Sequence, residues 1–247
     1  MNYSALAPLY DRLMAHVKYE LWLALIKKIH ARYFPGNKPS ILEIGGGTGT
    51  LGSLLLKNGY ECLCSDISPG MCYEAAKKGL PVFCADAKSL PVKRNFTLVI
   101  FLYDGINYLR SLHEYTHLFH EIYSVLDKNG CFLFDITTET NSKNNFLDFF
   151  ETEDFGDSSY IRHSYYNKKQ KSQHNDFTVY LQHEKHPSCY TKHYENHIQN
   201  IFSVNEILQA LPDNYFKVLG VWDNYSFNKY THRSERIHFL LQKNDKK

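Results

Sequence analysis

The chain has 247 residues, 43% of them hydrophobic and 22% charged, so it can bury a sizeable core and does not read as disordered. Lys and Arg total 28 against 26 Asp and Glu, a net charge of +2 that excludes a strong polyelectrolyte partner as the main theme. No apolar run approaches the roughly 20 residues of a membrane helix, and the opening MNYSALAPLYDRLM, with two tyrosines and an acid, does not read as a signal peptide.

Residues 1 to about 140 alternate short apolar runs with helical patterns. Ser40–Ile44 reads as a strand and Leu51–Lys57 as the start of a helix. Tyr60–Ser65 reads as a second strand, Met71–Lys78 as a second helix and Pro81–Ala85 as a third short strand. Phe96–Phe101 is nearly all apolar, as a strand buried on both faces is. Leu112–Leu126 has helical spacing, Asp127–Gly130 stops it, and Cys131–Ile136 is a fifth strand. Strands alternating with helices imply right-handed crossovers and a parallel, doubly wound sheet. From about 143 to 200 the texture changes to Tyr, His, Asn and Lys. Tyr160–Tyr166 and Phe177–His183 alternate like half-exposed antiparallel strands, with Tyr190–Phe202 as a third. Ser203 caps a helix, with Glu206 closing a capping box. Phe216–Trp222 and Arg236–Gln242 are joined too briefly for a crossover helix, so they should pair antiparallel. Lys243–Lys247 reads as a solvated tail. The six cysteines match neither a zinc ribbon nor a disulfide framework and read as reduced thiols.

Glu43-Ile44-Gly45-Gly46-Gly47-Thr48-Gly49 ends the first strand. A glycine-rich turn between strand and helix lets the backbone approach a ligand and presents free N–H groups. Gly47–Gly52 also satisfies the dinucleotide spacing G-x-G-x-x-G. Glu43 favours S-adenosylmethionine instead, because a carboxylate there receives an ammonium but repels a pyrophosphate. Asp66, ending the second strand, suits two ribose hydroxyls, and Asp86-Ala87, after the third, suits an adenine edge. Three acids at successive strand tips are what a ligand at the switch point of an open sheet requires.

With these motifs the sequence resembles a class I S-adenosylmethionine-dependent methyltransferase: Glu43–Gly49 matches the glycine motif, Ser65–Met71 the D-x-S-x-x-M segment and Cys84–Pro91 the adenine segment. Ala7–Met14 with Tyr19 and Trp22, Tyr103–Leu109 and Ser234–Ile237 resemble a narrower bacterial small-molecule subgroup, related to aminosugar N-methyltransferases, that carries an antiparallel insertion after strand five. The resemblance implies that Glu43, Gly45, Gly47, Asp66, Ile67, Met71, Asp86 and Ala87 surround the cofactor. It also implies that Tyr10 and Trp22 approach its methionine end and that Tyr103 sits near the sulfonium. Candidates for a base are Asp104 and Asn107 after strand four, and Glu195 and His197, which match an E-x-H segment of the subgroup and share one strand face. Asn200 and Phe202 depart from the subgroup, where an arginine and a tyrosine are usual.

His113-Glu114-Tyr115-Thr116-His117 has the H-E-x-x-H spacing of zinc hydrolases, but it opens a crossover helix, and no metal is expected there. The expected fold is α/β: a doubly wound, Rossmann-like, seven-stranded sheet, mostly parallel with one antiparallel strand, formed by 1–142 and 203–247. Residues 143–202 should form a small antiparallel β insertion covering the acceptor site. The expected protein is a cytoplasmic S-adenosylmethionine-dependent methyltransferase, monomer or homodimer. It should methylate a nitrogen or oxygen of a small polar molecule, with no membrane partner and little call for nucleic acid. A tRNA-modifying methyltransferase, a non-catalytic cofactor-binding module and an NAD-dependent dehydrogenase are the alternatives. The last leaves Glu43 and Asp86 without a role.

Overall fold

A computed structural model describes residues 3–36 and 38–244. After a 3₁₀ turn at Ala7–Leu9 come α1 (Tyr10–Leu13), α2 (Glu20–Tyr33), β1 (Ser40–Ile44), α3 (Thr50–Lys57), β2 (Glu61–Asp66), α4 (Pro69–Lys77), β3 (Val82–Cys84) and β4 (Phe96–Phe101). A second 3₁₀ turn, Gly105–Tyr108, leads into α5 (Leu112–Val125) and β5 (Leu126–Thr137). There follow α6 (Glu139–Asn145), β6 (Asp148–Asp154), β7 (Ser158–Asn167), β8 (Ser172–His183), β9 (His186–Asn200), α7 (Val204–Gln209), β10 (Phe216–Asp223) and β11 (Arg236–Lys243).

Seven strands pair in the order β10-β11-β5-β4-β1-β2-β3. β11 runs antiparallel to both its neighbours, while the pairings among β1 to β5 are parallel. The apolar run of β4 explains why this sheet is central. Leu98 and Ile100 enter the layer of α2 and α3, whereas Val99 and Phe101 enter the layer of α5 and α7. Alternate side chains thus feed two cores, each fully buried aliphatic contributing about 1.5–3 kcal/mol. The order reverses between β1 and β4, which makes the tips of these two strands the switch point of the sheet.

The stop expected at 127–130 is a bulge in β5. Phe96 pairs with Leu126, and the register then jumps to Leu98 with Cys131, with Asn129 at φ 59°. The second sheet has four antiparallel strands, β6-β7-β8-β9, where three were expected. The lysine-bearing tip at 168–171 joins β7 to β8 and is exposed. Ser203 and Glu206 form the expected capping box on α7. Lys243 ends β11 and donates to the Leu126 carbonyl at 2.6 Å, while 245–247 of the expected tail lie outside the described residues. Among the described residues no helix is long and apolar enough to cross a membrane.

The N-terminal segment connects the two sheets. Ala5, Leu6, Leu9 and Leu13 pack on Tyr160, Phe177 and Val179 of the insertion, forming a third apolar cluster. The same segment reaches the glycine turn through Asp11, whose carboxylate accepts the hydroxyls of Thr48 and Thr50 and pairs with Lys78.

Candidate active site

The turn after β1 needs its glycines. Gly45, Gly47 and Gly49 have φ of 62°, 57° and 77°, the left-handed region. A Cβ at Gly45 would sit 2.6 Å from the Phe101 ring, and one at Gly49 would sit 2.1 Å from Leu80. The turn therefore lies flat against the sheet.

Two carboxylates flank it. Asp66 accepts the Gly47 N–H at 2.9 Å on Oδ2 and the Ser68 N–H at 2.8 Å on Oδ1. Burial pushes its carboxyl above the usual range, although these N–H groups pull the other way. Glu43 is 5% exposed. Burial raises its carboxyl to about 7, the Asp66 charge adds to the rise, and the Cys64 thiol and the Gly52 N–H oppose it. Asp86, half-buried beyond β3, accepts the Lys88 N–H at 2.9 Å, with Ala87 beside it. Ile67 is 59% exposed next to Asp66, an apolar side chain open to a planar ligand. Met71 is buried in the first turn of α4.

Tyr10, Tyr19, Trp22, Glu43, Gly45–Gly47, Leu102 and Tyr103 line one narrow cleft. Its enclosed room is about 40 Å³, space for a water or so. A cavity of about 580 Å³ opens beside it, between α3 and the 14–20 segment, but it carries none of the three strand-tip acids. The narrow cleft holds the turn and Glu43, and it is the candidate site.

Tyr103 and Asp104 both adopt left-handed backbone, at φ 62° and 53°. Such strain persists only where neighbours over-determine it. Asp104 accepts Arg236 Nη2 at 2.6 Å and Gln199 Nε2 at 2.6 Å, and its own N–H donates to Asp135 at 2.7 Å. Arg236 also donates to Asp135 at 2.9 Å, and the Trp22 indole N–H donates to Asp135 at 3.2 Å. The result holds the Tyr103 ring edge-on to Trp22, with centroids 5.3 Å apart. Asn107 is fully buried and spends its amide on backbone, accepting the Thr137 N–H at 3.0 Å and donating to the Asn200 carbonyl at 2.9 Å. Glu195 and His197 share a face of β9, both buried, with His197 Nε2 2.9 Å from Glu195 Oε2.

The sequence reading missed Tyr3, Asp11, Tyr108, Asp135 and Arg236 as members of this neighbourhood. Asp11, Tyr108 and Arg236 lie inside the segments that carry the subgroup resemblance. A basic residue at the start of a last strand whose middle, Phe239–Leu241, is apolar was a usable signal for a buried ion pair.

Residues 41–130 match a family model described as "Methyltransferase domain". A Geobacillus protein named "Putative methyltransferase GWCH70_2453" is 27% identical over 98% of this chain and 100% of its own length. Among solved structures, an S-adenosylmethionine-dependent methyltransferase from Clostridium acetobutylicum superposes with TM-score 0.81 at 22% identity, covering 98% of this chain and 99% of that one. The sugar N-methyltransferase KedS8 from Streptoalloteichus gives 0.77 at 17%, covering 99% and 96%. These likenesses support an S-adenosylmethionine-dependent methyltransferase with the class I fold.

In this methyltransferase His113, His117 and His120 are exposed along α5. Glu114, between the first two, accepts Lys88 Nζ at 2.8 Å and the Arg110 N–H at 2.6 Å. Among the described residues the metal-capable side chains that converge are Glu43, Cys62 and Cys64, all buried. The Cys64 thiol donates to Glu43 at 3.1 Å and so solvates the carboxylate the methyltransferase buries at its glycine turn.

Proposed function

We propose that this methyltransferase moves a methyl group to a nitrogen or oxygen of a small polar molecule, and that the β insertion and the N-terminal segment together enclose the acceptor. The observation that carries this reading is the convergence of two chemistries at one crevice. Glu43 and the glycine turn line one cleft with the rings of Tyr10, Trp22 and Tyr103, and Asp66 accepts the Gly47 N–H of the same turn, while Glu195 and His197 are buried on β9.

S-adenosylmethionine, when bound, supplies an already activated methyl group. The residues present fit it. Glu43 suits its ammonium, Asp66 its ribose hydroxyls, Asp86 and Ala87 its adenine edge, and exposed Ile67 the base's flat face. The aromatic rings suit a cation and keep water out of the crevice. With so little demanded of side chains, the protein's task is to orient the acceptor's lone pair and to receive a proton where the acceptor carries one. Asp104 is held by Arg236 and Gln199, and Asn107 by backbone, so both serve the frame. Glu195 and His197 remain as the pair suited to proton transfer. The names of the neighbours KedS8 and CalS10, a sugar N-methyltransferase and an amino pentose methyltransferase, favour an acceptor of that polar, amine-bearing kind. A cytoplasmic location and the division of the chain into 1–142 with 203–247 and the insertion 143–202 belong to the same reading.

The test is a screen of cell extract with isotopically labelled methyl donor, followed by mass spectrometry of the labelled product. A labelled small amine or alcohol is expected. Label only in RNA or protein would overturn the acceptor class. Calorimetry showing NAD binding without S-adenosylmethionine binding would overturn the cofactor assignment.

A further inference from the structure

We infer that Tyr3, Tyr108, His197 and Glu195 form a one-way proton relay for the methyl acceptor, and that the relay exists only while the N-terminal segment is docked. This rests on the reading that a proton-bearing acceptor occupies the crevice beside Tyr10.

The polarity of the chain follows from its last member. Glu195 Oε1 accepts the Ala5 N–H at 2.5 Å, the Leu6 N–H at 3.3 Å and the Ser4 hydroxyl at 3.3 Å. Glu195 Oε2 accepts the Tyr3 N–H at 2.6 Å and faces His197 Nε2 at 2.9 Å. A carboxyl surrounded by donors is an acceptor on both oxygens. In the neutral ring His197 Nε2 then carries the proton, which leaves Nδ1 with a lone pair. Tyr108 Oη lies 3.3 Å from that Nδ1 and can only donate to it. Having donated, Tyr108 Oη accepts from Tyr3 Oη, 2.5 Å away. The hydrogen bonds therefore all point from Tyr3 toward Glu195.

The upstream end lies one ring behind the crevice. The Tyr3 ring meets Tyr10 edge-on at 5.6 Å, and Tyr10 lines the cleft with the glycine turn. The downstream end is sealed. His197 is 1% exposed and is covered by the rings of Tyr3 at 4.3 Å and Phe177 at 5.4 Å.

The step balances. The acceptor's lone pair forms the new bond to the methyl carbon as the carbon–sulfur bond breaks, and that electron pair stays on sulfur. The acceptor's proton passes to Tyr3 Oη, the Tyr3 proton to Tyr108 Oη, and the Tyr108 proton to His197 Nδ1. Both tyrosines end neutral, and the positive charge lost by the sulfonium reappears as an imidazolium beside ionised Glu195. Tyr3 is the residue that meets the acceptor; the other three act through it.

Docking and relay share atoms. Undocking the N-terminal segment removes Tyr3 from the chain and three backbone donors from Glu195. Opening the crevice thus dismantles the base, and closing it rebuilds the base.

The test uses the full chain. Nitrogen NMR of labelled histidine, with the His197 signal assigned by its loss in His197→Gln, should show the proton on Nε2, and Tyr108→Phe should shift Nδ1 toward an unbonded imidazole. With the labelled-donor assay and the acceptor fraction from extract, Tyr3→Phe and Tyr108→Phe should each lower kcat at least tenfold. Acceptor KM and donor Kd should stay within about twofold, and added imidazole should partly restore His197→Ala. A proton on Nδ1, or full kcat in Tyr108→Phe, overturns the relay while leaving the methyltransferase reading intact. Wild-type protein that binds no S-adenosylmethionine by calorimetry overturns that reading and the relay with it.

Discussion

Arg236 donates to Asp104 at 2.6 Å, tying the first residue of β11 to the strained turn after β4. Its other amino group holds Asp135, which is fully buried and kept below the usual carboxylate range chiefly by the guanidinium, against its own burial. Arg236→Met leaves a buried carboxylate without its partner. The expected cost is roughly 3–5 kcal/mol, read as a lower midpoint in urea denaturation. Arg236→Lys should recover only part of it, since one ammonium lacks the fork that spans both acids. An unchanged midpoint in Arg236→Met would show that the pair adds nothing to stability.

Glu43 sets a pH dependence of stability. Its folded value of about 7 lies above the ordinary 4.5. The folded state therefore binds the proton more tightly than the unfolded chain does. The resulting stabilisation is complete below about 4.5 and is lost as pH rises to about 7, a change on the order of 3 kcal/mol. Glu195, held down at about 2 by His197 and the N-terminal N–H groups against desolvation, works in the opposite sense and below that window. Glu43→Gln should flatten the fall in Tm between pH 4.5 and 7 and raise Tm at pH 8 relative to the unsubstituted protein. It should also weaken donor binding, because the charge facing the ammonium is gone. Parallel Tm curves for the two proteins would refute the buried-acid account.

Gly52 is required by the acid it covers. A Cβ there would lie 2.5 Å from Cys64 Sγ and 2.7 Å from Glu43 Oε2. Gly52→Ala should cost about 1–3 kcal/mol as overpacking and should lower donor affinity by displacing Glu43. Cys64→Ala in the same chain removes the nearer obstacle, so the double variant should be more stable than the Gly52→Ala single. A strictly additive double variant in thermal denaturation would show that the contact is relieved elsewhere.

Much of this was legible in the residues. Phe96–Phe101 announces a strand buried on both faces, and Glu43 and Asp66 stand where strand ends meet glycine or a helix cap. β6 was not legible, because Asp148–Asp154 carries four acids on an edge strand, where charge protects against stray pairing. α6 is polar throughout Glu139–Asn145 and is marked only by its Thr138 cap. Asp11 lies inside the Ala7–Met14 segment, but neither its role nor that of Tyr3 is marked by periodicity. Their roles come from contacts across the fold, with Thr48 and with Glu195, that periodicity does not encode. The E-x-H pair was read as sharing a face, which it does. That its carboxylate also grips the N-terminal segment could be learned only from the fold.

Donor binding should separate Asp66 from His197. Asp66 is the acid assigned to the ribose, and it also fixes the Gly47 and Ser68 N–H groups that shape the turn. Asp66→Ala removes charge-assisted bonds worth about 1.5–3 kcal/mol each, so donor Kd should rise by roughly 10- to 100-fold or more. Asp66→Asn keeps one acceptor oxygen and should fall between the two. His197 sits behind Tyr3 and Tyr108 and touches neither the glycine turn nor the strand tips. His197→Ala should leave donor Kd within about threefold while transfer slows. Isothermal titration with S-adenosylmethionine decides the matter. Equal losses for Asp66→Ala and His197→Ala would mean that the donor does not lie along the tips of β1 and β2, and the site would have to be redrawn.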